Sequence, residues 1–296
     1  MAADTYADIY EKPGVPYSLT ADIYSSTAIG GATPTVETAS VVNPAIGGAT
    51  PPVLFTPGDL YVGGFNGSYY DLSNGATLFS DTARTTPAVV GGPVRGISDL
   101  APANNPLTTS TTTFVRRVNG VEGPPGVASF VGFVNTAIPE GSAAGWTSAV
   151  AVKPGNPLNA FQWMDMDSPT LRLAQNIFTD GNVDSFGWVP GSTLRNAHLA
   201  GGVVAGVPIV IVAVCTPTSL TLRVNKVQVA QATWASSVPV NGATPMSLFA
   251  GYEGLATPNN RPCGNSSQMM AAVFVGKPCS PAEIDNLENW LTTRAV

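Results

Sequence analysis

The stretch Ser219-Leu-Thr-Leu-Arg-Val-Asn-Lys-Val-Gln-Val229 decides the fold class. Leu220, Leu222 and Val224 alternate with Thr221 and Arg223, the period-2 pattern of a strand with one buried face. Asn225-Lys226 follows as a two-residue hairpin turn, because Asn tolerates positive φ there; Lys suits the second turn position less well than Gly. The chain then re-enters a strand at Val227-Gln-Val229.

Similar short runs, rich in Val, Phe, Trp and Thr, lie on either side: Thr113–Val118, Val127–Val134, Trp146–Val152, Ala160–Met166, Thr170–Ala174, Pro208–Val214, Met246–Tyr252 and Met269–Val275. Gly, Pro, Asn or Ser bound most of them, the texture of an all-β sandwich or barrel. After the last run, Ser280-Pro-Ala-Glu283 is a capping box with Pro at the first helical position. Ile284, Leu287, Trp290 and Leu291 recur at helical spacing. The pattern predicts one amphipathic helix over Ser280–Thr293, with Asp285 and Glu288 on its exposed side, plugging the sandwich or closing one edge.

Of 296 residues, 44% are hydrophobic and only 11% charged, against about 25% charged in an ordinary soluble domain. Secreted β-proteins and virus particle proteins have surfaces of this kind. The net charge is −6 and Arg116-Arg117 is the one adjacent basic pair, so a nucleic-acid footprint is not expected. No apolar stretch approaches the roughly 20 residues of a membrane span. The N-terminus lacks an apolar signal region, and synthesis in a host cytoplasm is expected.

Residues 1–58 read differently from the rest. Ala7-Asp-Ile-Tyr10 returns as Ala21-Asp-Ile-Tyr24, and Ile29-Gly-Gly-Ala-Thr-Pro34 returns as Ile46-Gly-Gly-Ala-Thr-Pro51. The segment carries five acids and one Lys and is short of bulky core residues, so by itself it buries too little to offset its ordering entropy. It is expected to be an extended arm that attaches to other chains through Tyr6, Ile9, Tyr10, Tyr17, Ile23 and Tyr24, or one that folds back on its own domain. The expected division is therefore 1–58 arm and 59–296 β-sandwich.

The order SLTLRVNKVQV, SLFAGYE, QMMAAVFVGKPCSPAEIDNLENWL resembles the end of concanavalin A-like lectin/glucanase domains of the laminin G type. In that superfamily a strand–turn–strand with Asn-Gly at its turn precedes a final strand and a capped helix. The likeness covers about Pro208–Leu291, with Lys226 standing where the family usually has Gly. It implies an antiparallel jelly-roll sandwich of concanavalin A-like type. A second segment, Gly63–Leu100, is similar to one found in phage tail and virion proteins, on Gly67, Tyr69, Tyr70, Asp71, Leu78, Phe79, Asp81, Thr85, Thr86 and Pro87. There the pattern continues with a further block; here Asp99-Leu-Ala-Pro-Ala-Asn-Asn-Pro-Leu107 takes its place. This second likeness implies a virion protein.

Catalytic chemistry is scarce. The single histidine, His198, excludes His-clustered metal sites, and a surface or capped histidine is the plainer expectation for it. No GxSxG elbow is present. Glucanases of the resembled superfamily carry paired carboxylates two apart on one strand, about 5–5.5 Å apart for a retaining mechanism. The comparable run here is Trp163-Met-Asp165-Met-Asp167, without the family's Glu residues. It reads as a solvated strand end, with glycan contact by Trp163, Asp165 and Asp167 as the functional alternative. Asp180-Gly-Asn-Val-Asp184 reads as a turn rather than a calcium loop. Trp146, Trp188 and Trp234 are expected in the core or on a sheet face. Cys215 is expected as a core residue, and Cys263 and Cys279 as possible neighbours outside any disulfide framework. No cofactor and no enzymatic activity are expected.

The leading expectation is a non-enzymatic phage virion structural protein: a capsid decoration (cement) or head-fibre protein held by its arm to other virion proteins. The alternative is a tail-fibre or adhesin module that binds host surface glycan. Either role needs avidity, so a homo-oligomer is expected.

Overall fold

The computed structural model describes residues 54–110, 114–123, 133–139, 145–155, 161–167, 172–177, 180–188, 195–234, 243–249 and 266–296. All of them belong to one compact unit, Val53–Val296. The strands, in chain order, are β1 (Gly67–Asp71), β2 (Leu78–Phe79), β3 (Gly96–Ile97), β4 (Leu107–Thr108), β5 (Val115–Arg117), β6 (Gly120–Glu122), β7 (Phe133–Pro139), β8 (Trp146–Lys153), β9 (Phe161–Asp167), β10 (Arg172–Ile177), β11 (Val183–Trp188), β12 (Arg195–Leu199), β13 (Ile209–Cys215), β14 (Ser219–Val224), β15 (Val227–Thr233), β16 (Ala243–Leu248) and β17 (Gln268–Val275); one helix, α1 (Pro281–Thr292), follows.

The strands form two antiparallel sheets, the expected jelly-roll sandwich. Sheet A runs β15-β14-β13-β8-β17-β6-β5, with β1 also pairing β17. Sheet B runs β12-β11-β10-β9-β16-β7-β4-β3-β2. Between them lies a core that includes Tyr70, Phe114, Phe133, Trp146, Trp163 and Phe274. In β14 burial alternates, with Leu220, Leu222 and Val224 inward. The hairpin turn is as expected: Asn225 and Lys226 have φ of 47° and 70°, the two positive values of a type I′ turn.

β13 and β8 do not alternate; nearly every residue in them is buried. Both faces of these central strands are covered, so both must be apolar. The inner face meets sheet B. The outer face meets α1, whose Leu287, Trp290 and Leu291 pack in one cluster with Ala149, Ala151, Val210, Val212, Ala271 and Val273. The alanines on the sheet side leave room for the helix.

The helix begins as its sequence predicts. Ser280 Oγ accepts from the Glu283 N–H, and Glu283 Oε2 accepts from the Ser280 N–H. Its position differs from expectation: α1 neither plugs the sandwich nor closes an edge, but covers the outer face of sheet A. The physical reason is the second apolar face of β8, β13 and β17, which needs a cover that only an amphipathic element can supply. Glu288 also departs from its expected exposure. It is 1% exposed and takes a bidentate ion pair from Arg223 of β14, at 2.9 and 2.8 Å. Lys226 Nζ donates to Asn289 Oδ1 at 2.7 Å, and Lys277 Nζ lies 2.6 Å from Glu283 Oε1. At the far end Arg294 stacks over Trp290 and reaches Asp71 Oδ2 at 3.2 Å.

The segment Gly63–Leu100 forms β1, β2 and β3 and joins both sheets. Gly67 is required there: its φ is 146°, and a Cβ would stand 2.1 Å from the Phe274 carbonyl of β17. The Asp99–Leu107 stretch, which departs from the resembled pattern, turns around one carboxylate. Asp99 accepts from the N–H groups of Tyr69, Ala101 and Asn105. Burial nevertheless holds its pKa above the usual carboxylate value.

The expected boundary at Asp59 falls inside a 3₁₀ turn, Pro57–Tyr61, whose Leu60 and Tyr61 are buried in the cluster beneath α1. The expected attachment residues Tyr6, Ile9, Tyr10, Tyr17, Ile23 and Tyr24 lie outside the described residues, as does Cys263. Cys215 and Cys279 are buried thiols, pushed by burial to pKa values of about 12 and about 11, so neither is a thiolate near neutral pH.

Candidate functional site

The outer face of sheet B gathers the polar groups that the core does not use. In β10, Leu173, Gln175 and Ile177 point inward: Leu173 and Ile177 join the core, and Gln175 Nε2 donates to Ser148 of the facing sheet at 3.0 and 3.2 Å. Strand alternation puts Ala174 and Asn176 on the outer face. In β11 and β12, Val183 and Ala197 are core residues, so Asp184 and His198 face outward. The register sets Asn176 opposite Asp184 and Asp184 opposite His198. Three polar residues on adjacent strands thus form one row.

The row is graded from solvent to interior. The His198 side chain is 44% exposed and the Asp184 side chain 8%. Asn176 is 4% exposed. His198 Nδ1 lies 2.5 Å from Asp184 Oδ1. With that nitrogen donating to the carboxylate, Nε2 is left for a partner outside the row. Asn176 Oδ1 is buried and has no hydrogen-bond partner. An acceptor left in that state costs about 1–3 kcal/mol, which a donor arriving from outside would recover.

The same sheet takes in the residues proposed from sequence. Asp165 of β9 stands in register with Ala174 of β10 and Ser247 of β16, and Asp167 with Arg172. Trp163 belongs elsewhere. It is fully buried, belongs to the inter-sheet core, and its ring centroid lies 6.0 Å from that of Phe249. The register of β10 against β9 shifts between Gln175 and Asn176, and this irregularity breaks the simple alternation that would have set Trp163 beside Asp165 and Asp167. Trp163 is therefore corrected from a stacking platform to a core residue. Trp146 is also core, as expected.

Of the Asp180–Asp184 stretch, expected to be a turn, Asp180–Asn182 form the turn and Val183 and Asp184 already belong to β11. Asp180 Oδ1 accepts from the Asn182 N–H at 3.1 Å, and Asn182 Oδ1 accepts from the Gly201 N–H at 2.6 Å. No cluster of three or more His, Cys, Asp and Glu occurs among the described residues.

Sequence reasoning overlooked Asn176 and gave Asp184 and His198 no joint role. Their strands, β11 and β12, went unrecognised because their inner faces are small and polar: Ser185 and Ala197 are buried where Val or Leu would signal a strand. The 14-residue separation of Asp184 and His198 is ordinary for partners across a hairpin, but it can be read only once both strands are known.

No protein-family model matches the chain, and no curated protein matches it. Among solved structures, the chain is similar to the binding domain of botulinum neurotoxin serotype C1, at 8% identity, with 80% of this chain and 53% of that chain covered and a TM-score of 0.51. It is also similar to the binding domain of botulinum neurotoxin DC in complex with rat synaptotagmin II (8% identity, 50% of this chain and 36% of that chain, TM-score 0.40). A third similarity is to the Ruminococcus gnavus IT-sialidase CBM40 bound to α2,3-sialyllactose (10% identity, 55% and 98%, TM-score 0.40). The chain spans about half of the serotype C1 domain and about a third of the DC structure. The first similarity is one of fold, an all-β, antiparallel jelly-roll sandwich, which in this chain ends in one short C-terminal helix.

Proposed function

We propose that this chain is a non-enzymatic recognition module that holds a surface glycan on the outer face of sheet B. One observation carries the proposal: the row Asn176–Asp184–His198, in which a buried acceptor lacks a partner while a half-exposed imidazole stands at the open end. Sugar hydroxyls donate and accept at once, so they can meet both the Asn176 carbonyl oxygen and a free imidazole nitrogen. The lectin-like fold, shared with a domain known by its binding role, supports this reading at the level of architecture.

The decoration or head-fibre role remains a proposal from sequence, resting on residues 1–58 and on the Gly63–Leu100 likeness to virion proteins. Glycan recognition is preferred because it has a candidate site within the described body. The two roles combine in an adhesin: the N-terminal segment attaches to a virion and the sandwich is displayed.

A glycan array of host-surface polysaccharides, probed with the full chain, tests the proposal. Specific binding should appear, and His198→Ala and Asn176→Ala should each weaken it at least about tenfold while the thermal melt shows the fold intact. Absence of binding by the parent chain, or unchanged binding by folded variants, would sink it. A chain lacking residues 1–52 should still bind glycan but no longer join the particle. The cut belongs there rather than at residue 58, because Phe55 packs against the cluster beneath α1 and Pro57 opens the 3₁₀ turn that carries Leu60 and Tyr61.

A further inference from the structure

Asn176, Asp184 and His198 leave acceptors for a ligand to meet. Of the Asn176 side-chain amide, the oxygen is the atom that is buried without a partner. A carboxylate accepts and does not donate, and one Asp184 oxygen already faces His198 Nδ1 at 2.5 Å. A neutral imidazole that donates from Nδ1 accepts at Nε2. The row therefore asks a ligand for N–H or O–H groups.

Charge points the same way. Asp184 stands opposite Asn176, one strand spacing or about 5 Å away. The two residues are 5% and 4% exposed, and charges so buried are poorly screened by salt. No Lys or Arg occupies a register position of the row: beyond Asn176 comes Gln162 of β9, and beyond Asp184 comes His198. The arginines of the same strands, Arg172 in β10 and Arg195 in β12, lie farther along, roughly 13 Å from Asn176 and 10 Å from His198 at the strand rise. Even a doubly protonated His198 ring only balances the Asp184 charge beside it.

We infer, resting on the glycan reading above, that the row selects uncharged sugars, held through hydroxyl or amide N–H groups, and refuses carboxylated and sulfated ones. A sugar hydroxyl or an acetamido N–H supplies the donor that Asn176 Oδ1 lacks. A carboxylate or sulfate brings acceptors alone. It would leave that buried oxygen unpaired, which is the stronger source of discrimination at a polar site. It would also stand one strand from the Asp184 carboxylate, and like charges set together at a recognition surface reject a wrong partner. The net charge of −6 on the whole chain adds a weaker repulsion of the same sign at longer range.

The test is a glycan array in which each neutral oligosaccharide stands beside its carboxylated and sulfated forms, probed with the full chain at pH 8. Neutral forms should bind, and their acidic counterparts at least about tenfold more weakly. Asp184→Asn removes the charge but keeps an acceptor for His198 Nδ1. His198→Lys sets a cation at the half-exposed end of the row. Each should cut the preference for neutral over acidic forms at least about threefold with the melt retained, and if the asparagine variant fails to fold the lysine variant decides. Acidic forms bound as tightly as neutral ones, or more tightly, overturn the inference and leave glycan recognition standing. A preference that the folded variants leave unchanged overturns it too. Binding to no glycan of either class removes the glycan reading itself, and this inference with it.

Discussion

Replacing Arg223 by Ala should destabilise the sandwich far more than loss of an ordinary surface ion pair. An exposed pair contributes at most about 1 kcal/mol. Here Glu288 is 1% exposed, and its carboxylate receives both Arg223 bonds at 2.9 and 2.8 Å. Truncating the arginine leaves a buried carboxylate without a counter-charge, a situation that costs about 3–5 kcal/mol. Asp285, whose carboxylate lies 3.9 Å from the same guanidinium, would add repulsion once that charge is gone. The bond from Arg223 to the Lys226 carbonyl, 2.8 Å long, would be lost too, loosening the β14–β15 turn. The assay is urea unfolding followed by Trp fluorescence, with the midpoint read at constant slope. Replacing both partners, Arg223→Met with Glu288→Leu, should recover most of the loss, because an apolar pair avoids the desolvation cost altogether. A loss below about 1 kcal/mol for Arg223→Ala, or a double variant no more stable than the single, would refute the claim that this pair is a buried lock between helix and sheet.

Three further outcomes follow from other parts of the molecule. Lys226→Gly should stabilise the chain by about 1 kcal/mol in the same assay, since Lys226 sits at φ 70°, less its exposed contact with Asn289. Trp163→Ala should cost about 3–5 kcal/mol and lower glycan binding only through unfolding, so binding normalised to the folded fraction should be unchanged; a selective loss of binding by folded protein would return Trp163 to the site. Glu283 is pushed up by burial but held below its ordinary 4.5 by Lys277 and by the Ser280 N–H and hydroxyl, which together outweigh the burial. A carboxylate lowered on folding contributes stability that is present above its unfolded value and lost as pH falls through its folded value. Stability measured against pH should therefore fall below about 4.5, and Glu283→Gln should flatten that limb and lower the plateau above it.

The sequence by itself determined those features whose causes are local. The alternation of Leu220, Leu222 and Val224, the Asn225-Lys226 turn and the Ser280–Glu283 capping box all act within a few residues, so strand, hairpin and helix start could be read from spacing. The all-β class followed from the number of such runs. The tertiary structure decided whatever depends on what lies on the other side of a strand. β8 and β13 are apolar on both faces because α1 covers the second face, and nothing near residues 146–153 announces a helix that begins at residue 281. Glu288 reads as a solvated helix position until Arg223, 65 residues earlier, is known to face it. Trp163 reads as a platform beside two acids until a register shift turns it into the core. The row Asn176–Asp184–His198 exists only through pairing of three strands, two of which, β11 and β12, have inner faces with too little hydrophobicity to show in the sequence. Local chemistry sets the elements, but the face that each element buries is a property of its neighbours, and the candidate site is a consequence of those faces.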